Sequence, residues 1–199
     1  MSIGDAEIKT QERVIRFFKD PEILGYQYIG NLSDYQNKNI KEDRLRQYLR
    51  LKGYADKLID AAVMQLQQEA GNLSRGVYDA NKTVYSRLKY GIPVSESPEK
   101  PPVTVELIDE ANPLNNDFAI AEEVTVVEQQ EKRPDLVIYL NGIAVAVIEL
   151  KRSSISVSEG IRQNLTNQKD SFIRGFFTTM QFCMAGNESE GLRYGTLLT

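Results

Sequence analysis

The sequence predicts an α/β fold, with a mixed sheet flanked by helices and an inserted helical block. Three observations carry this. Apolar residues recur at helical spacing over residues 5–19 and again over 41–90. After the polar, proline-rich stretch SESPEKPP (Ser95–Pro102) the pattern changes to extended runs. Those runs lead to PDLVIYLNGIAVAVIELK (Pro134–Lys151), two strand-forming segments joined by Asn141-Gly142, then one more helical stretch and two more extended ones. Strands interleaved with helices make a layered α/β sheet.

Taken in order, Asp5–Lys19 is expected to be an amphipathic helix with Asp5 as N-cap and Ile8, Ile15 and Phe18 on its buried stripe. An extended piece follows to about Ile29. Three helices are expected over Lys41–Lys52, Ala55–Ala70 and Val77–Tyr90, with stops at Gly53, Gly71 and Gly91. Lys41, Arg44, Arg46, Arg50, Lys52 and Lys57 cluster around the first of these. The plain reading is a solvated face, and phosphate contact is the sharper one. Val103–Leu107 alternates like a strand with one wet face, and Asp117–Val127 reads as one long strand. Asn115, Asn116 and Asp117 before it are either turn formers or part of a site's rim. After Lys151 a helix is expected over Ser158–Arg174, burying Ile161, Leu165 and Phe172, then strands over Phe176–Ala185 and Leu192–Leu198. The division that follows is a core of residues 1–30 and 103–199, a helical insertion of 31–94, and a linker loop of 95–102.

Composition narrows the function. The chain has 199 residues, enough to bury a core without covalent staples. It has no histidine, which excludes Ser-His-Asp triads, histidine bases and histidine-rich metal sites. Its single cysteine, Cys183, allows no internal disulfide, and no signal peptide or long apolar run is present. Both features predict a cytoplasmic protein. Lys and Arg number 24 against 28 Asp and Glu, a formal charge of −4, which predicts weak nucleic-acid binding by this segment alone. No GxxxxGK[ST] phosphate loop occurs, so no ATP hydrolysis is expected within it.

The hairpin carries the chemistry. Asp135 opens the first apolar run, and Glu149 and Lys151 close the second. Charges at the edge of a core are costly unless paired or bound to a metal. Glu149 and Lys151 share a strand face. A regular two-residue loop at 141–142 would pair residue 135 with 148 and send Asp135 to the other face. A shared face requires an odd residue, either a three-residue loop with Gly142 at positive φ or a β-bulge near Asp135. With both carboxylates on one face, Asp135 and Glu149 would suit Mg²⁺, and Lys151 would stabilise charge during phosphodiester hydrolysis.

These residues resemble a known family. Pro134-Asp135 followed by Glu149-Leu150-Lys151 matches the PD-(D/E)xK nuclease motif. The likeness extends through Asn115-Asn116-Asp117-Phe118, Arg133 to Val137, Asn141-Gly142-Ile143 and Val147 to Lys151. Together these resemble the amino-terminal nuclease domain of the restriction (R) subunit of type I restriction-modification enzymes, over nearly the whole chain. The resemblance implies a restriction-endonuclease-like fold and Mg²⁺-dependent cleavage of double-stranded DNA. It implies a complex with methyltransferase (M) and specificity (S) subunits. ATP would serve only a translocase beyond this segment, which reads as a fragment of a longer chain. It also implies an acid from the first helix beside the metal, with Glu7 the first candidate and Glu12 the second; the plainer reading of either is an exposed helix acid. A Gln-x-x-x-Tyr element is implied after the strand. Gln163 fits its Gln, and Asn167 stands where Tyr is usual. Two other readings remain: a non-catalytic docking module that keeps the nuclease fold, and an unrelated α/β protein in which Asp135 and Lys151 form a structural ion pair.

Overall fold

The computed structural model describes residues 3–97 and 99–197, with side chains from Glu7 onward. The chain begins with helix α1 (Ile3–Lys19), so Asp5 lies inside the helix and not at its cap. Ile8 is exposed, and the helix seats itself with Ile15, Val14 and Phe18 instead. Strand β1 (Gln27–Asn31) follows, then helices α2 (Glu42–Leu51), α3 (Asp56–Gly71) and α4 (Val77–Tyr90), close to the expected spans. Strands β2 (Ile92–Val94) and β3 (Val103–Val105) form a small antiparallel pair with the 95–102 loop between them. The alternating stretch from Val103 therefore pairs outside the main sheet.

The expected long strand over 117–127 is broken into β4 (Phe118–Glu122) and β5 (Val126–Val127). The break falls at Glu123, whose φ is 51°. β5 pairs with β6 (Glu131–Lys132), and then come β7 (Leu136–Leu140) and β8 (Ile143–Leu150). Helix α5 spans Val157–Asn167, ending seven residues before the expected Arg174. A 3₁₀ turn over Arg174–Thr179 occupies the start of the expected strand 176–185, which begins only at β9 (Phe182–Asn187). β10 (Gly191–Gly195) ends the sheet, and Leu198 of the expected last strand lies outside the described residues.

Six strands form one mixed sheet in the order β1-β4-β7-β8-β9-β10. β1 runs parallel to β4, β8 parallel to β9, and the other pairs are antiparallel. α1 covers one face, over Ile120, Leu136, Ile138, Ala146, Ile148 and Leu150. The 3₁₀ turn covers the other, where Phe176, Phe177 and Met180 pack on Val137, Tyr139, Ala144 and Val147. Full burial of each such aliphatic or aromatic side chain stabilises the fold by roughly 1.5–3 kcal/mol. The inserted helices have their own cluster around Leu45, Leu49, Ile59 and Leu66, which also takes in Val105, Leu107 and Ile143. Among the described residues no helix is long and apolar enough to cross a membrane.

The basic cluster of the insertion is largely neutralised. Arg44 pairs with Asp117 at 2.6 Å, Arg46 with Glu42 and Asp60, Arg50 with Asp56, and Lys52 with Asp109 at 2.9 Å. Lys41 donates to Asn37 and lies over the Tyr139 ring. Arginines and lysines so committed favour a paired, solvated face over a phosphate-binding one.

Candidate functional site

The hairpin turn is two residues long, with Asn141 and Gly142 both at positive φ, 51° and 82°. That is the turn whose twist matches the flanking strands. Its register pairs Leu140 with Ile143 and Tyr139 with Ala144, but Ile138 with Ala146. Val145 is the extra residue of a β-bulge. From there Val137 pairs with Val147 and Leu136 with Ile148, so the ladder projects Asp135 opposite Glu149. The faces confirm the switch. Ala144 and Val147 pack on the 3₁₀ side, and Ala146 and Ile148 pack under α1. The odd residue is present as expected, but it sits on β8 near the turn and not beside Asp135. Both carboxylates therefore belong to the face carrying Val137 and Val147.

Glu149 is fully buried, at 0% exposure. Its Oε2 accepts a 2.6 Å hydrogen bond from Gln163 Nε2, and its Oε1 has no hydrogen-bond partner. Burial first, and the Asp135 carboxylate second, push its pKa well up. Asp135 Oδ2 accepts from the Leu150 N–H at 2.6 Å. Burial raises its pKa from 3.8 to about 6 despite that bond and the nearby Lys151. Lys151 donates its N–H to Gly186 O, and its ammonium lies 3.7 Å from Glu7 Oε1 on α1. Asp135, Glu149, Lys151, Gln163 and Glu7 thus come to one end of the hairpin. Glu12 is exposed.

Helix α5 approaches closely because Gly160 lacks a side chain. A Cβ there would meet Ala185 Cβ at 2.9 Å and Glu149 Cβ at 3.5 Å. The helix buries Val157, Gly160, Asn164 and Asn167, while Ile161 is 39% exposed, so the expected apolar stripe of 161, 165 and 172 is not the packed one. Asn164 donates to Met184 O and fastens the helix over β9. Ser156 caps the helix by accepting from Ser158 N–H. Gln163 is directed onto Glu149 by this packing.

Asn115, Asn116 and Asp117 lie at the opposite end of the hairpin. Asn116 and Asp117 bond to Asn141, and Asn115 to Asp109. Six strand residues at about 3.3 Å each put them roughly 20 Å from Asp135, so they are turn formers and not a rim. The residue that sequence reasoning missed is Glu123. Its N–H donates to Asp135 O at 2.8 Å, and its charge is felt by both the Asp135 and Glu149 carboxylates. Its only sequence signal is the Glu122-Glu123 pair that interrupts the apolar run of residues 118–127, just past the end of β4.

The donor set suits a hard divalent cation. A buried carboxylate, Glu149, and a half-buried one, Asp135, lie on one face, one Glu149 oxygen lacks a partner, and the chain has no histidine. Among the described residues no three Asp, Glu, Cys or His side chains converge as a closed metal cage. Asp135 and Glu149 would be the direct ligands, and Glu7 stands against Lys151.

A six-stranded mixed sheet with helices on both faces, carrying paired acids at the end of its central hairpin, is a restriction-endonuclease-like fold. The family model for the type I restriction enzyme R protein N terminus matches residues 7–199, and the chain belongs to that family. It is 33% identical over 97 residues to the putative type I restriction enzyme MjaIXP endonuclease subunit of Methanocaldococcus jannaschii, a match covering 45% of this chain and 9% of that one. It is 29% identical over 85 residues to the type I restriction enzyme SsaAORF53P endonuclease subunit of Staphylococcus saprophyticus, covering 43% and 9%.

Proposed function

We propose that this domain is a Mg²⁺-dependent endonuclease that hydrolyses phosphodiester bonds of double-stranded DNA. The DNA would be delivered by an ATP-driven translocase elsewhere in the R subunit, within a complex of methyltransferase and specificity subunits. The observation that carries the reading is the bulge-set register, which places the Asp135 and Glu149 carboxylates on one face with Glu149 Oε1 unpartnered. Asp135 and Glu149 would hold the cation, which when bound polarises the scissile phosphate and makes a water acidic. Gln163 holds Glu149 in one orientation through its 2.6 Å hydrogen bond. The Lys151 ammonium supplies positive charge for the anionic transition state. A docking module would gain nothing from a buried Glu149 carboxylate set beside Asp135, whose charges cost stability. In the complete restriction complex, Lys151→Ala is expected to abolish DNA cutting while ATP-driven translocation continues. Cleavage at the parental rate would contradict the assignment.

A further inference from the structure

β4 ends at Glu122, and Glu123 follows in left-handed backbone at φ 51°. Residues other than Gly, Asn and Asp seldom adopt it, because the Cβ crowds the backbone there. The surroundings hold it there. The Glu123 N–H donates to Asp135 O at 2.8 Å, and the Val124 N–H to Pro134 O at 3.0 Å. Both peptides that aim Asp135 are thus tied to the strained corner.

The side chain is held as firmly. Glu123 Oε1 accepts from Gln11 Nε2 at 3.2 Å, and Oε2 pairs with Arg133 Nε at 2.9 Å. The Gln11 amide, only 8% exposed, also donates to Glu122 Oε2, whose other oxygen accepts from Tyr28 OH at 2.6 Å. A corner needed only to end a strand would be met by Gly or Asn without strain. An acid there adds negative charge near the half-buried Asp135 and the buried Glu149, whose Oε1 has no partner.

We infer that Glu123 is a positioning residue of the metal site: its backbone aims Asp135, and its carboxylate supplies an outer acceptor for waters around a cation held by Asp135 and Glu149. The inference rests on the metal-dependent reading above. Mg²⁺ keeps several of its waters, and outer acceptors commonly change metal affinity by about 10- to 100-fold.

The test is Mn²⁺ binding by calorimetry on the 199-residue chain, with thermal unfolding of each variant in metal-free buffer. Glu123→Gln is expected to weaken Mn²⁺ about tenfold or more while unfolding no earlier than the parent. Glu123→Asp, which keeps the charge and tolerates the left-handed backbone, is expected to stay within about threefold of the parent. Arg133→Gln breaks the same ion pair but leaves the carboxylate, and should bind within about twofold of the parent. Unchanged affinity in Glu123→Gln overturns the inference while leaving the metal-dependent reading intact. Equal losses in Arg133→Gln and Glu123→Gln also overturn it, because the ion pair alone would then be at work. A parent that binds no Mn²⁺ removes the metal-dependent reading and this inference with it.

Discussion

Asp135→Asn is expected to make the metal-free protein more stable at neutral pH. Burial lifts the Asp135 pKa from 3.8 to about 6 in the fold. The native state therefore holds a proton more tightly than the unfolded chain. Stability is highest below pH 3.8 with respect to this group, falls as pH rises towards 6, and stays at its reduced level above. At about 1.4 kcal/mol per pH unit the penalty at pH 7.5 is about 3 kcal/mol. Asn cannot ionise, and its side-chain oxygen still accepts the Leu150 N–H that Asp135 Oδ2 accepts. The variant should gain up to about 3 kcal/mol in EDTA, or roughly 6–12 °C at about 2–4 °C per kcal/mol for a chain of this size. Divalent metal should reverse the order. At about a hundredfold excess over its Kd a cation adds about 2.7 kcal/mol to the parent, and the variant should gain almost nothing. Differential scanning calorimetry at pH 7.5, with EDTA and then with Mn²⁺, reads both effects. A variant that melts below the parent in EDTA, or rises with Mn²⁺ as much as the parent does, would refute the reasoning.

Three further outcomes are expected. Gly160→Ala must push α5 away from Ala185, which its Cβ would meet at 2.9 Å, and should cost about 1–3 kcal/mol in urea unfolding; an unchanged midpoint would show that the helix moves freely. Gln163→Ala leaves Glu149 Oε2 without its 2.6 Å donor, and should weaken Mn²⁺ binding about tenfold at fixed pH; affinity equal to the parent's would contradict the role given to the amide. Asn141→Ala removes the side chain's bonds to Leu107 O, Asn116 and the Asp117 N–H and places a Cβ residue without that support at positive φ. Its cost should be about 2–4 kcal/mol, read as a fall in the urea midpoint, and a loss under 1 kcal/mol by roughly the same measure would argue against the turn network.

The hairpin was legible because Asn-Gly between apolar runs is a local signal, and the charged ends of those runs stood out against them. The need for an odd residue was also legible, but its location was not. Val145 looks like any other member of IAVAVI, and only packing on both faces decides which residue is squeezed out. Helix α5 was misjudged for a related reason. Its buried face is made of Gly160, Asn164 and Asn167, so hydrophobic periodicity pointed to Ile161 and carried the helix too far. Glu123 was invisible because left-handed backbone at a glutamate is imposed by its bonds to Asp135, Gln11 and Arg133, far apart in sequence. Glu7 was reached from the resemblance, and its partner Lys151 was a tertiary fact.

The bulge at Val145 makes strand length a functional parameter. Side chains between the turn and Glu149 can be exchanged for others of similar bulk with only graded effects on packing. Adding or losing a single residue in that interval would rotate every later side chain of β8 by half a turn, carrying Glu149 under α1 and out of reach of Gln163. Homologues with this site are therefore expected to vary in composition across 143–148 while holding its residue count constant.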